Sequence, residues 1–169
     1  MSDVPPLKMI DPNAKSSGHD ARLAAAGIVL PTAAAPVASY VPAVEAGGML
    51  FISGQLAFKD GHLMTGRAGD DRGLEYAQDA ARACGLMILA QAKAALGSLD
   101  RIERVVKLGV FVNSTARFTD QPKVANGASD LMIEVFGDAG RHARAAVGVA
   151  ALPLDAVVEA DAIFALGPA

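Results

Sequence analysis

The sequence predicts an α+β domain: one mixed sheet with two long helices on one of its faces, in the order β-β-β-α-β-α-β-β. Three observations carry that reading. Residues 74–96 place Leu74, Ala77, Ala81, Cys84, Ile88, Ala92 and Ala95 at three-and-four spacing, the mark of one buried helix face. A second helical stretch runs from about Pro122 to Phe136, with Val124, Leu131, Val135 and Phe136 turned inward. Around these two lie short apolar runs bounded by Gly, Asp and Pro, which read as strands.

The elements follow in order. Residues 1–18 carry Pro, Asn, Ser and Gly without period and read as a loose lead-in. "HDARLAAAGI", 19–28, supports one or two helical turns between Asp20 and Gly27. "VLPTAAAPV" is a proline-punctuated connection, so residues 1–35 form an N-terminal extension and 36–169 the domain. "SYVPAVEAGGMLFISGQLAF", 39–58, is a hairpin: Tyr40 and Val41 open an extended run, "EAGG" turns it and "MLFISG" returns. Asp60-Gly61 centres a second turn, and Gly66–Gly73 is a polar loop.

Gly97 closes the first long helix as a glycine just past its end. "IERVVKLGVFV", 102–112, is a buried strand. Alternation puts Val105, Lys107, Gly109 and Phe111 on one face, and Val106, Leu108, Val110 and Val112 on the other. In the second helix a proline in the first turn is tolerated, while Gly127 weakens the middle. "RHARAAVGVAALPLDAVVEADAIF", 141–164, supplies the last two strands.

Composition narrows the function. The chain has 169 residues, enough for one core without staples, and is 52% hydrophobic but only 5% aromatic. Alanine-rich faces of this kind gain burial by association between copies. The net charge is −3 and no basic run occurs, which counts against a nucleic-acid partner. No stretch has the length and apolarity of a membrane span, and no secretory leader is evident, so a cytoplasmic protein is expected. The single cysteine, Cys84, lies on an apolar helix face and reads as a buried, inert thiol. His19, His62 and His142 show no metal-ligand spacing and read as structural or surface residues, so no metal is expected. Dinucleotide, P-loop and serine-hydrolase motifs are absent.

Two charged residues stand out in segments that otherwise want to be dry. Arg144 shares its strand face with Ala146, Gly148 and Ala150, a small-residue track beside a guanidinium whose planar fork suits a carboxylate. Glu159 shares a face with Asp161 and Ile163, while Val158, Ala160, Ala162 and Phe164 form the dry face. The competing reading makes Arg144 and Glu159 edge residues or one structural ion pair. "SGQ" at 53–55 offers Ser53 and the unhindered backbone of Gly54 for a close ligand approach, or is an ordinary strand-ending turn. Tyr40 is a pocket wall or a core or interface aromatic, and Asn126 a ligand contact or a solvated helix residue.

Several of these segments together resemble the RidA (YjgF) family, as a divergent branch. "SYVPAV", "MLFISGQLAF", "VVKLGVFVNS" and "HARAAVGVAALPLDAVVEADAIF" match the family's pattern from about Pro36 to Leu166. The resemblance implies a chorismate-mutase-like fold and a homotrimer with ligand clefts between subunits. It also implies hydrolysis of 2-imino acids and enamines to 2-keto acids and ammonia, without a cofactor. By motif position, Arg144 would grip the substrate carboxylate and Glu159 would orient water. Tyr40, Ser53, Gly54 and Asn126 would line the pocket. Three departures mark the branch: His142 stands where the family has proline, Ala145 and Ala146 where it often has Ser/Thr and Cys, and the lead-in is extra. The alternatives are a non-catalytic trimer that binds a small metabolite or partner, an endoribonuclease, and a chorismate mutase suggested by fold alone.

Overall fold

The computed structural model describes residues 18–35 and 39–168. Of the loose lead-in expected over residues 1–18, all but Gly18 lies outside the described residues, as does Pro36. The elements are α1 (His19–Ala25), β1 (Ala43–Ala46), β2 (Met49–Leu56), β3 (Phe58–Lys59), β4 (His62–Leu63), α2 (Leu74–Leu96), β5 (Ile102–Asn113), α3 (Gln121–Phe136), β6 (Ala143–Val149) and β7 (Val158–Leu166). Five strands form one sheet in the order β1-β2-β7-β5-β6. The β5–β6 pair is parallel and the others are antiparallel.

Turn chemistry explains both hairpins. Gly47 and Gly48 have φ of 59° and 73°, and Asp60 and Gly61 have 52° and 78°. Positive φ at both central positions is the two-residue turn that matches strand twist. The third strand read from the sequence is thus a small separate ribbon, β3–β4, rather than a member of the main sheet. Tyr40 and Val41 precede β1, which begins only at Ala43. Ser53 ties them down: its amide donates to the Pro42 carbonyl and its hydroxyl to the Val41 carbonyl, at 3.0 and 2.7 Å. Those bonds hold the segment as a loop against β2.

Helices α2 and α3 cover one face. Ala77, Ala81, Cys84, Ile88 and Ala92 of α2 are buried as the spacing predicts, and Val124, Leu131, Val135 and Phe136 of α3 join them. Ala95 is exposed instead. Gly97 ends α2 at φ 80°, its amide donating to the Lys93 carbonyl. From the sheet, Val158, Ala160, Ala162 and Phe164 of β7 point into this core. On β5, strict alternation fails. Register shifts between Ile102 and Arg104, and between Val105 and Lys107, mark bulges. The extra residue flips the phase, so Val105, not Val106, joins Leu108, Val110 and Val112 inside.

Gly127 has a reason that periodicity does not reveal. A Cβ there would overlap the backbone carbonyl of Gln78 and crowd the Arg82 amide on α2, so the two helices meet backbone to backbone. Gly127→Ala should gain up to about 1 kcal/mol in helix propensity. Against it stands overpacking worth about 1–3 kcal/mol or more, because the obstacle is backbone and cannot rotate away. The net is a lower melting temperature, read by thermal unfolding; an unchanged or higher value would show that the helices have slack.

Helix α1 packs onto the domain, so folded contacts cross the boundary expected at residue 35. Leu23 is buried, and the His19 ring stands edge-on to Phe136 with its Nε2 3.0 Å from the Ile102 carbonyl. Burial pushes the Asp20 carboxyl up, but hydrogen bonds from Ser98 and Lys93 outweigh this and hold it below its ordinary value.

Among the described residues, no helix covers the second face of the sheet. Val44, Met49, Phe51 and Val147 are exposed there, beside half-buried Phe111, Ile163, Glu159 and Asp161.

Candidate functional site

Arg144 is the second residue of the edge strand β6 and is half-buried. Its register partner, Leu108, points at the helices, and so does Arg144. There Nη1 donates to Asn126 Oδ1 and Ser129 Oγ, both at 2.9 Å, and Nη2 to the Pro122 carbonyl at 3.1 Å. Asn126 and Ser129 are one turn apart on α3, so one helix face presents all three acceptors. Among the described residues, no carboxylate lies within ion-pair distance of Arg144. Neutral acceptors fix the fork's orientation and leave its charge uncompensated, which suits it to receive an anion.

Ser129 is itself anchored. Its Oγ lies 3.0 Å from His142 Nε2, and His142 Nδ1 lies 2.5 Å from the Gly140 carbonyl. Burial lowers the His142 pKa and the Arg144 charge lowers it further, against the opposing Gly140 bond. Ser129 was not singled out from the sequence, and His142 was read as a structural or surface residue and as a departure from the family's proline. The signal was present: residues two apart in an extended run share a face, which pairs His142, just before β6, with Arg144.

A second group lies across the sheet. Tyr40, Pro42, Gly54, Gln55, Met87, Gln91 and Leu154 are among the residues lining a mainly apolar pocket. Tyr40 is exposed, whereas Gln55 and Gln91 are buried and stand 3.4 Å apart through Gln91 Nε2 and Gln55 Oε1. Gln91 also donates to the Ala34 carbonyl at 2.7 Å. Leu154, another residue the sequence did not flag, is 75% exposed and holds φ 57°, which is unfavourable for a branched side chain. The β2–β7 register shifts between Ile52 and Gln55, so Ser53 and Gly54 form a bulge. The carboxylate of Glu159 occupies the space a side chain at Gly54 would need. Asp161 lies in the same way over Gly109, accepting its amide hydrogen at 3.0 Å. Burial and the neighbouring Asp161 both raise the Glu159 pKa.

The two groups do not meet within one chain. Arg144 faces the helices, whereas Glu159, opposite Phe111 on the uncovered side, faces away. Strand β5 separates β6 from β7, which adds a lateral offset of roughly 10 Å. Arg144 and Glu159 therefore make no ion pair, and the cleft expected to hold both is not formed by one chain alone. Asn126 joins the arginine group; Tyr40, Ser53 and Gly54 lie with the glutamate group. Cys84 is buried, donates to the Val158 carbonyl, and is raised by burial and then by Glu159, which makes it unreactive. Among the described residues, no cluster of three His, Cys, Asp or Glu could hold a metal, and no helix is long and apolar enough to cross a membrane.

Known proteins share this fold. The chain is 55% identical over 148 residues to protein TCP17 of Trypanosoma cruzi, covering 86% of this chain and 92% of that one. It is 30% identical over 141 residues to a 2-iminobutanoate/2-iminopropanoate deaminase of Dermatophagoides farinae, covering 82% and 94%. The crystal structure of protein Atu1372 from Agrobacterium tumefaciens, 47% identical, superposes with a TM-score of 0.81 over 88% of this chain and 93% of that one. A family model described as "YjgF/chorismate_mutase-like, putative endoribonuclease" matches residues 20–165. With the sheet order, the two covering helices and the motif positions, these matches make the chain a member of the YjgF/RidA family, with its chorismate-mutase-like fold.

Proposed function

We propose that the protein hydrolyses reactive 2-imino acids and enamines to 2-keto acids and ammonia, in clefts between the subunits of a homotrimer. The observation that carries this reading is the Arg144 guanidinium, oriented by three neutral acceptors and, among the described residues, without a carboxylate partner. It would bind the substrate carboxylate through two parallel hydrogen bonds. The imine carbon is already electrophilic, so the reaction calls for no cofactor, only a held substrate and a placed water. Glu159, its pKa raised by burial, would take a proton from water as oxygen bonds to the imine carbon. That proton passes to the nitrogen to give the carbinolamine; the hydroxyl proton then moves through Glu159 to the amine as the C–N bond breaks, releasing the keto acid and ammonia.

The separation of the two groups supports a shared site. Arg144 with Asn126 from one copy would meet Tyr40, Ser53, Gly54 and Glu159 of another. The uncovered sheet face, with Val44, Met49, Phe51 and Val147 exposed, is the surface such an assembly would bury. Light scattering at micromolar concentration should return three times the chain mass. A monomer mass would leave the two groups apart and remove the cleft.

The relative from Dermatophagoides farinae supports the reaction class by its name. The net charge of −3 weighs against RNA as substrate. One observation favours a second reading. Ala145 and Ala146 leave the strand beside Arg144 without a hydroxyl or thiol, as suits a trimer that binds a carboxylate metabolite without turning it over. Ammonia release from freshly generated 2-iminopropanoate and 2-iminobutanoate separates the two. Release that depends on Arg144 supports the deaminase; carboxylate binding without release supports the binding protein.

A further inference from the structure

We infer that His142 and Ser129 are positioning residues for Arg144, joined to it in a hydrogen-bond relay that holds the guanidinium fork in its carboxylate-receiving orientation while the imidazole is neutral. The inference rests on the proposed role of Arg144 and goes beyond it, because it names what governs that side chain.

The direction of the relay follows from the donors available. The Gly140 carbonyl can only accept, so His142 Nδ1, 2.5 Å away, carries a hydrogen. In the neutral ring, Nε2 is then an acceptor, and at 3.0 Å it takes the Ser129 hydroxyl hydrogen. That leaves the Ser129 lone pairs for Arg144 Nη1, at 2.9 Å. The chain Arg144 → Ser129 → His142 → Gly140 is satisfied with one donor and one acceptor at each link. No other tautomer does this, since a hydrogen on Nε2 would leave Nδ1 facing a carbonyl with nothing between them.

Protonating His142 breaks the order. Nε2 would become a donor, so Ser129 Oγ would face donors from both sides, with its own hydrogen displaced. A second cation would also stand close to Arg144. The charged neighbours offer no relief. Arg144 and Arg141 lie on the same strand and its lead-in. Asp138 in the preceding turn, Gly137–Gly140, is bonded to Arg141. Lys107 on β5 sits opposite Ala143, and α3 contributes Ser129 and Ile133 to the same surface recess. Among the described residues, no carboxylate is bonded to the imidazole. Charging His142 therefore strands the Ser129 hydroxyl hydrogen and sets a second cation beside Arg144, which weakens the Ser129 link and leaves Asn126 and the Pro122 carbonyl as the undisturbed anchors.

Two measurements test this. The first uses the ligand-free protein. Side-chain NMR should find His142 as the Nδ1–H tautomer, with a midpoint below the ordinary histidine value that moves upward in Arg144→Ala. An Nε2–H tautomer, or a midpoint indifferent to Arg144→Ala, overturns the relay. The second measures binding of 2-oxobutanoate, a stable carboxylate, against pH. The parent affinity should be level above neutral pH and fall on acidification with a one-proton step. Ser129→Ala should weaken binding about five- to twenty-fold at pH 8. His142→Gln places an acceptor where Nε2 was. It should bind more tightly at pH 8 than His142→Ala and should lose the acid-side step. An unchanged step in His142→Gln would assign the titration elsewhere and overturn the inference. If Arg144→Ala binds 2-oxobutanoate as tightly as the parent, the deaminase reading fails instead, and the tautomer and midpoint decide the relay alone.

Discussion

Arg144→Lys should lower catalytic efficiency on 2-iminopropanoate roughly 30- to 1000-fold while leaving the fold and the assembly intact. The number comes from what the substitution removes. Lysine keeps the positive charge, but it is a point donor that cannot form two parallel bonds to a carboxylate. Losing that geometry costs on the order of 2–4 kcal/mol in the transition state. Lysine also cannot satisfy the Asn126, Ser129 and Pro122 acceptors from one nitrogen in the fixed fork arrangement. Arg144→Ala should be at least as damaging. Neither should unfold the protein, because Arg144 is half-buried at a sheet edge and, among the described residues, pairs with no carboxylate whose charge would be stranded. Steady-state kinetics with thermal melting checks both arms. A variant that melts early or dissociates would make Arg144 structural; one that keeps full activity would remove it from the site.

The difference between what periodicity reveals and what it hides runs through this chain. The helix at Leu74–Leu96 was legible to the residue, because a long amphipathic face and a closing glycine are local signals. The inward face of β7 was legible for the same reason, since alternation survives where no bulge interrupts it. On β5 an inserted residue shifted the phase, and nothing in "IERVVK" announces it. Gly127 looked like a weakness in a helix; its meaning lies in Gln78, 49 positions earlier, which only tertiary packing brings near. The site shows the same division. Arg144 and Glu159 were conspicuous as charges in dry strands. That they face opposite sides of the sheet follows only from the pairing of β7 with β5 and β5 with β6. Ser129 was invisible because its importance is a contact between α3 and β6; His142 was read as structural or surface because its spacing to Arg144 was not weighed.

Glu159→Gln should reduce turnover about 100-fold or more while leaving the melting temperature unchanged or higher. These two effects have one cause. Burial, and then Asp161 beside it, raise the Glu159 pKa in the folded protein. A carboxyl whose folded pKa lies above its unfolded one holds its proton more tightly when folded. Its contribution to stability is thus fully present at acid pH and is lost as pH rises through the folded value. At neutral pH the charged group therefore works against folding, and a neutral, nearly isosteric glutamine relieves it. Glutamine cannot take a proton from water, so the general-base step, worth roughly 100- to 10,000-fold, goes with the charge. Substrate binding should change little, since Arg144 holds the carboxylate. Gly54→Ala supplies the complementary test. Its new Cβ would fill the space occupied by the Glu159 carboxylate, so turnover should fall with Glu159 still present but displaced. A residue kept for stability would behave in the opposite way: Glu159→Gln would melt earlier, and activity would follow the folded fraction. Full turnover in a well-folded Glu159→Gln would assign the proton transfer to another group.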